Sequence, residues 1–227
     1  MLSEISVRGC IVVWAIVPFK GSGGAKRRLA DHLSTIERAS LVLAMLEDVL
    51  QTLTQVSNLD GICLVSRSDE AVAIARKHDI LLFSDDANDL SGAVVQAGEY
   101  LATHHHARGT FFIPGDVPLI TVNEIEQAVL QHQSVTLIPD RNDIGTNGAL
   151  SSPPNAFEYL FDGKSFKPHR AAAQRAGVEA AVLRLPGFGL DIDTIDELKE
   201  LLHTKSSTKS SIYLEESGIA SRLTTTT

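Results

Sequence analysis

The sequence predicts an α/β protein built on one doubly wound, mostly parallel sheet. Short, continuously apolar runs recur along the chain, which is typical of strands covered on both faces. Stretches with the helical spacing of apolar residues separate these runs. Strands that alternate with helices indicate βαβ units and a largely parallel sheet. The 227 residues are enough for one full-sized domain with a substantial core.

Six apolar runs are expected to form the strands, at 10–17, 61–65, 80–83, 110–113, 135–138 and 180–185. Helices are expected over 35–53, 69–78, 91–105, 122–131, 168–176 and 195–203. Three of these helices follow a residue that can cap the first turn: Ser68, Thr121 and Thr194. Glu124, three residues after Thr121, completes a capping box.

The predicted domain covers residues 10–204, and the chain changes character after it. Residues 205–227 are polar and rich in serine and threonine. We expect a short surface helix near 212–216 in this segment, followed by a flexible end.

Composition excludes several classes of function. Twenty basic and 28 acidic residues give a net charge of −8, which argues against sequence-independent binding of nucleic acid. The start lacks the order of a signal peptide, and apolar runs of about 20 residues are missing, so we expect no membrane span and a cytoplasmic location. Cys10 and Cys63 lie in apolar runs, which predicts buried thiols rather than a disulfide or a metal site.

The segment VPFKGSGGAKRRLA follows the first predicted strand, where open α/β sheets bind ligands. Its glycines, including Gly21, allow a tight turn that exposes backbone amides to an anion. Lys20, Lys26 and Arg28 add positive charge. The segment matches neither GxxxxGK[ST] nor GxGxxG. The alternative is a flexible loop with solvated charges.

Three aspartates point to a divalent cation. Asp116 follows the 110–113 run in a Pro-Gly-Asp turn. Asp191 and Asp193 are two residues apart, so an extended backbone places both side chains on the same side. Carboxylates so placed repel each other unless a cation or proton lies between them, and hard divalent cations prefer such oxygens. The alternatives are an ordinary turn residue at Asp116 and a helix cap at Asp193.

The segment PDRNDIGTNGAL comes after another predicted strand. Gly145, Thr146 and Asn147 could form a nest of amides and side-chain donors for a carboxylate or phosphate. Asp140 and Arg141 could instead simply pair with each other on a surface loop.

Two more polar residues stand near the start of the helix predicted over 168–176. Helix N-termini favour anions, so Ser165 and His169 are candidates for the same anion site. The alternative for His169 is an exposed residue of the first helical turn.

Taken in order, the segments VPFK, AKRRLA, PGDVPLI, PDRNDIGTN, SFKPH and PGFGLDIDTIDEL resemble the CofC/FbiD family of guanylyltransferases. The resemblance covers about residues 11–203, and the tail is also similar. It implies a nucleotidyltransferase-type, Rossmann-like domain. The family acts in biosynthesis of coenzyme F-420, where it joins GMP from GTP to the phosphate of a three-carbon acid and releases pyrophosphate. The acid is 2-phospho-L-lactate, phosphoenolpyruvate or 3-phospho-D-glycerate.

The resemblance also implies roles for individual residues. Magnesium would be held by Asp116, Asp191 and Asp193. GTP would be bound by Pro18, Lys20, Gly21, Lys26 and Arg28, and the acid by Thr146, Asn147 and Ser165. Catalysis would depend on Lys20, Lys26 and Asp116. A homodimer is open, and so are two other functions: a cytidylyl- or molybdopterin-type nucleotidyltransferase, and a non-catalytic nucleotide-binding relative.

Overall fold

A twisted sheet runs through the structure, a computed structural model that describes residues 12–204 and 206–224. The strands of the described residues are β1 (Val13–Pro18), β2 (Gly61–Val65), β3 (Leu81–Phe83), β4 (Gly109–Phe112), β5 (Val135–Pro139), β6 (Thr146–Ser151) and β7 (Ala181–Val182). Their order is β3-β2-β1-β4-β6-β5-β7. All neighbouring strands are parallel except β6, which is antiparallel to both β4 and β5. The predicted α/β class with a mostly parallel sheet is confirmed.

The structure contains eight α-helices within the described residues. They are α1 (Thr35–Leu53), α2 (Asp69–His78), α3 (Leu90–His104), α4 (Val122–Gln131), α5 (Phe166–Arg175), α6 (Ile195–His203), α7 (Lys209–Glu216) and α8 (Ile219–Thr224). Five of them, α1 to α5, cover the two faces of the sheet. Ser68, Thr121 and Thr194 occupy the predicted N-cap positions, and Thr121 forms the capping box with Glu124. Within the described residues, we find no helix both long and apolar enough to cross a bilayer.

Strand β6 is the one that the sequence analysis missed. Residues 146–151 (TNGALS) lack a continuous apolar run, yet all six are buried. Gly148 explains why this polar segment fits inside the sheet: a Cβ at this position would lie 2.9 Å from Ile138 Cδ1. The strand therefore depends on close packing with its neighbours, which apolar periodicity does not register.

Alternation along β1 divides the core into two layers. Val13, Ala15 and Val17 face a cluster formed with α1, α2 and α4, whereas Ile16 faces a cluster formed with α3 and α5. Cys63 is buried in the second cluster, as predicted, and burial raises the pKa of its thiol to about 12. Cys10 lies outside the described residues.

The C-terminal segment is packed against the domain. Helix α7 (Lys209–Glu216) lies where the short helix near 212–216 was predicted, but it is partly buried rather than a surface helix, and residues 219–224 form α8 where a flexible end was expected. Leu214, Ile219 and Leu223 are buried in a third cluster with residues of α1 and α6. The first turn of α7 also binds α1, since the N–H groups of Lys209 and Ser210 donate to the Asp48 carboxylate at 2.6 and 2.9 Å. The proposed domain boundary at 204/205 itself stays a prediction.

Candidate active site

The glycine-containing loop begins where β1 ends, at the predicted edge of the sheet. Gly21 has a φ of +90°, a conformation that L-residues rarely adopt. The loop is held by Glu70 at the start of α2, whose carboxylate accepts from Ser22 N at 2.8 Å and from Ser22 Oγ at 2.5 Å. Lys20 is exposed. The loop is thus anchored at Ser22 and leaves the Lys20 ammonium available to an anion.

Lys26 is the centre of a charged cluster that also contains Asp116, Asp191 and Asp193. Its side chain is 8% exposed, and its Nζ lies 2.6 Å from Asp116 Oδ2 and 2.7 Å from Asp193 Oδ1. Burial alone would lower the pKa of Lys26, but the two carboxylates outweigh burial and raise that pKa above its ordinary value. Arg28 reaches the same cluster from the surface, with Nη1 3.4 Å from Asp193 Oδ2.

Two chain segments bring the aspartates together. Asp116 follows β4, and its carbonyl oxygen accepts from Ile192 N at 3.0 Å. Side chains alternate along residues 190–193. Leu190 and Ile192 are buried, whereas Asp191 and Asp193 both turn toward the pocket, as their spacing predicted. The three carboxylates consequently line one pocket.

Asp191 differs from the other two because it is bound by an amide. Asn147 Nδ2 donates to Asp191 Oδ1 at 2.9 Å and to Phe188 O at 2.8 Å. Burial raises the pKa of Asp191, the charges of Asp116 and Asp193 raise it further, and the bond from Asn147 opposes them. Both hydrogens of this amide are used inside the protein, so in this structure Asn147 positions Asp191.

A divalent cation fits the donor set of this cluster. Asp116 and Asp193 already meet at one cationic position, and Asp191 is close enough to sense both charges. Oxygen-only ligands are those that magnesium prefers. With the side chains in their present positions, the described part of the chain contains no group of three or more residues arranged to bind a metal ion. A metal ion at this position and the Lys26 ammonium exclude each other.

Two pockets lie near the charged cluster, and a third cavity joins them. The larger, of about 720 Å³, lies beside the glycine-containing loop and is lined by Pro18, Lys20 and Gly21, among others. The smaller, of about 370 Å³, contains Asp116, Asp191 and Asp193. The third cavity, of about 310 Å³, connects the two, because it shares Lys20 with the first and Asp116 with the second.

The smaller pocket also contains the residues predicted to hold an acid. Thr146 begins β6, Asn147 follows it, and Ser165 precedes α5; all three are buried and line this pocket. Ser165 occupies the N-cap position, yet its side chain caps no backbone N–H. The structure thus brings the three together next to the carboxylates.

The predicted nest of amides is wrong in its details. The N–H of Gly145 donates to Asp140 Oδ2 at 2.7 Å, and Asn142 N and Ile144 N donate to Asp140 Oδ1. Asp140 therefore shapes the turn, and it does not pair with Arg141. Arg141 instead pairs with a glutamate of α6.

One supporting residue, Glu70, escaped the sequence analysis, and for His169 the alternative of an exposed residue is wrong. Glu70 was seen only as part of a helix, although it holds the glycine-containing loop. His169 is completely buried rather than exposed. Its spacing with Phe166, Ala172 and Ala173 on the buried face of α5 is a signal that could have revealed this burial.

Comparison with known proteins shows the family of this chain. The family model "Guanylyl transferase CofC like" matches residues 13–227. The chain belongs to this family. A relative from Sphaerobacter thermophilus, named phosphoenolpyruvate guanylyltransferase, is 35% identical over 189 residues, which are 82% of this chain and 91% of the relative.

Other relatives carry different substrate names. A 2-phospho-L-lactate guanylyltransferase from Methanobrevibacter ruminantium is 28% identical and aligns over 91% of this chain and 92% of its own. A 3-phospho-D-glycerate guanylyltransferase from Colwellia psychrerythraea is 29% identical, with 85% and 91% covered. Among solved structures, a protein from Desulfovibrio desulfuricans described as a nucleotide-diphospho-sugar transferase superimposes with a TM-score of 0.76 at 18% identity, over 93% of this chain and 97% of its own. The fold is thus of the nucleotidyltransferase type.

Proposed function

We propose that this protein is a magnesium-dependent guanylyltransferase of coenzyme F-420 biosynthesis. It joins the GMP part of GTP to the phosphate of a three-carbon acid and releases pyrophosphate. The observation that carries the proposal is that Lys26, Asp116 and Asp193 line the cavity that connects a large pocket beside the glycine-containing loop to a small polar pocket. The names of the family and of its relatives support a transferase of this kind.

The reaction needs charge control more than a protein nucleophile. A phosphate oxygen of the acid attacks the α-phosphorus of GTP and forms a new P–O–P linkage, while the bond from the α-phosphorus to the leaving pyrophosphate breaks. The attacking oxygen is already anionic at neutral pH, so a dedicated general base is unnecessary. The protein's task is to bring two anions together in line and to neutralise the negative charge.

Lys26 and Lys20 are proposed to supply positive charge to the GTP phosphates. Lys26 is buried next to the carboxylates, and Lys20 lies exposed at the mouth of the larger pocket. Pro18 and Gly21 line the same pocket and would contact the nucleotide, and Arg28 would reach the phosphates from the opposite side of the cluster.

Asp116, Asp191 and Asp193 are proposed to hold magnesium. When bound, the ion would neutralise phosphate charge and orient the reacting groups. Lys26 would then be released from Asp116 and Asp193 and could contact phosphate oxygens instead. Asn147 maintains the position of Asp191 in either case.

The phospho-acid is proposed to bind in the smaller pocket, at Thr146, Asn147 and Ser165. The pocket volume of about 370 Å³ suits a three-carbon molecule, whereas the larger pocket suits a nucleotide. The candidate acids are the three named for relatives of this chain: phosphoenolpyruvate, 2-phospho-L-lactate and 3-phospho-D-glycerate. The enzyme would work in the cytoplasm, as a monomer or a homodimer, without nucleic acid or membrane partners.

A substrate panel tests the proposal. The protein is incubated with GTP, magnesium and each acid in turn, and pyrophosphate release and the mass of the product are measured. We expect one acid to give a guanylylated product. CTP in place of GTP is the matched control for the base, and omission of magnesium is the control for the ion. If GTP binds but no acid releases pyrophosphate, the protein is a nucleotide-binding relative and the proposal fails.

A further inference from the structure

Below the acid pocket lies a histidine that the proposed chemistry does not use. His169 is fully buried on α5, and its ring makes two hydrogen bonds. Leu160 N donates to Nε2 at 2.8 Å, and Nδ1 lies 3.0 Å from Thr146 Oγ1. The ring thus connects the 157–161 segment to a residue that lines the pocket.

These two contacts determine where the ring carries its hydrogen. A backbone N–H can only donate, so Nε2 must accept from Leu160 and has no hydrogen of its own. The hydrogen of the neutral ring is then on Nδ1, which donates to Thr146 Oγ1.

The surroundings of His169 favour the neutral ring. Burial lowers its pKa to about 4, although the nearby Asp162 opposes that change. The rings of Phe157 and Phe161 meet the imidazole nearly at right angles, at interplanar angles of 82° and 79°. Near neutral pH the ring therefore carries one hydrogen, and the bond from Leu160 assigns it to Nδ1.

The consequence concerns the hydroxyl of Thr146. Because Thr146 Oγ1 accepts from His169, its own hydrogen must point elsewhere, and no described residue accepts it. Thr146 lines the smaller pocket together with Ser165. The geometry points to His169 as a positioning residue that fixes the Thr146 hydroxyl as a donor to an anionic oxygen of the acid.

The tautomer of His169 decides whether the Thr146 hydroxyl attracts or repels the acid. If the hydrogen were on Nε2, Thr146 would donate to Nδ1 and would present only lone pairs to the acid. An anion would then be repelled rather than bound. A hydroxyl that already accepts a hydrogen bond is also a stronger donor, since bonds in a chain polarise one another.

The inference rests on the proposed function, because it gives a role to a residue next to the proposed acid pocket. A lost hydrogen bond to a charged group weakens binding by about 10- to 100-fold. His169→Phe leaves the Thr146 hydroxyl in place but free to turn, so we expect it to raise the KM for the acid by up to about this factor. The KM for GTP should stay unchanged, and kcat should change little.

A double-mutant cycle separates positioning from a merely structural role. Thr146→Val removes the hydroxyl through which His169 acts. In the Thr146→Val background, His169→Phe should have no further effect on the KM for the acid. Independent effects that multiply in the double variant would overturn the inference.

A second pair of variants covers the case in which His169→Phe fails to fold. Asparagine at 169 can place an amide donor near the Nδ1 position, whereas glutamine reaches the Nε2 position and leaves Thr146 without a donor. We expect His169→Asn to bind the acid better than His169→Gln. The reverse order would contradict the inference.

His132 offers a matched control. It is also a buried histidine, with Nδ1 2.9 Å from Thr136 Oγ1 and Nε2 2.9 Å from Ser152 Oγ, but it does not line the acid pocket. His132→Asn should lower the free energy of unfolding and leave the KM for the acid unchanged.

Nitrogen-15 NMR of the imidazole provides a readout that needs no turnover. At neutral pH the spectrum should show the hydrogen of His169 on Nδ1. A hydrogen on Nε2 would overturn the inference even in an active enzyme. If no acid is turned over, the proposed function fails, and the spectrum still decides the direction of the Thr146 hydroxyl.

Discussion

Lys26 shows how one residue makes a dense group of carboxylates stable. Its ammonium contacts Asp116 and Asp193 at 2.6 and 2.7 Å, where two negative charges would otherwise repel each other. The left-handed backbone of Lys26, with φ of 51°, directs the side chain inward at the start of a short 3-10 helix, Arg27–Leu29. The same residue is therefore an internal counter-ion and a candidate phosphate ligand.

The aspartates are the residues whose loss should matter most for activity. We expect Asp116→Asn and Asp193→Asn to lower the rate of pyrophosphate release by about 100-fold or more, since each removes charge where phosphates must be neutralised. Initial rates at saturating magnesium measure this effect, and thermal unfolding checks that the fold persists.

Asp143→Asn is the control for these variants. Asp143 pairs with Arg184 at 2.8 Å on the exposed side of the turn, away from the cluster, so its loss should leave the rate nearly unchanged. If Asp193→Asn behaved like Asp143→Asn, Asp193 would have no part in binding metal or phosphate.

At the residue scale, the sequence predicted the orientation of side chains where orientation follows from local spacing. Asp191 and Asp193 are examples, because alternation in an extended segment places both on one side. His169 and Glu70 could not be assigned in this way. Their partners, Thr146 and Ser22, are 23 and 48 residues away, and only tertiary packing brings them into contact.

Among the elements, the 3-10 helix Gly187–Gly189 supports the site most closely. Gly187 N donates to Glu124 Oε1 at 2.7 Å, and the carbonyl of Phe188 accepts from Asn147. A Cβ at Gly187 would lie 2.5 Å from Glu124 Oε2 and from Leu119 O. The contacts that hold the N-terminus of α4 and Asn147, the residue that binds Asp191, therefore depend on a glycine at position 187.

Gly187→Ala should consequently destabilise the protein by about 1–3 kcal/mol, the usual range for overpacking. Denaturant unfolding followed by circular dichroism measures the change. Gly23→Ala is the matched control, because a Cβ there meets nothing within 4 Å. Equal stability of the two variants would show that the backbone at 187 shifts without cost.

The C-terminal helices make a second prediction at this scale. Leu214 on α7 is fully buried against α1, so Leu214→Ala should lower the free energy of unfolding by about 2–5 kcal/mol. Ile212, on the same helix, is 43% exposed, and Ile212→Ala should cost far less. Similar losses would mean that α7 is only loosely attached.

Elements differ in how well the sequence predicts them. Helices α2, α4 and α6 were correctly bounded because capping residues mark their starts. Strand β6 was missed because its stability comes from pairing with β4 and β5 on both sides. A segment of polar and small residues such as TNGALS gains this environment only inside the assembled sheet.

For the whole molecule, two buried histidines contribute to the response to acid. Burial lowers the pKa of both His132 and His169 from 6.5 to about 4. The unfolded chain therefore binds protons below pH 6.5 that the native protein does not bind until about pH 4. Stability should fall as the pH falls through this window, by roughly 3 kcal/mol per histidine at most.

Urea unfolding at intervals between pH 7 and 4 measures this slope. His132→Asn should reduce it, because one of the two titrating groups is gone. Glu47 acts at lower pH: burial opposes the change, but bonds from Lys77, Lys209 and His78 lower its pKa to about 2, so its contribution is lost below about pH 4.5. An unchanged slope in His132→Asn would show that His132 does not contribute.

The general architecture could be predicted from the sequence more reliably than the individual elements or residues. Continuous apolar runs between helical patterns were enough for the α/β class, because layers of helices must cover both faces of a parallel sheet. The packing of residues 206–224 was not predictable from their polar composition. A few apolar residues, including Leu214 and Leu223, and the hydrogen bonds to Asp48 hold the segment, and all these partners on α1 are far away in the sequence.

One short segment belongs to both the site and the C-terminal core. In residues 190–193, Leu190 and Ile192 enter the cluster that contains Leu214 and Ile219, while Asp191 and Asp193 face the pocket. A ligand that binds these carboxylates more tightly when the tail is attached also stabilises that attachment, and the coupling is reciprocal. The rate at which a protease cleaves α7 and α8 would therefore report indirectly whether a ligand occupies the pocket at Asp191 and Asp193.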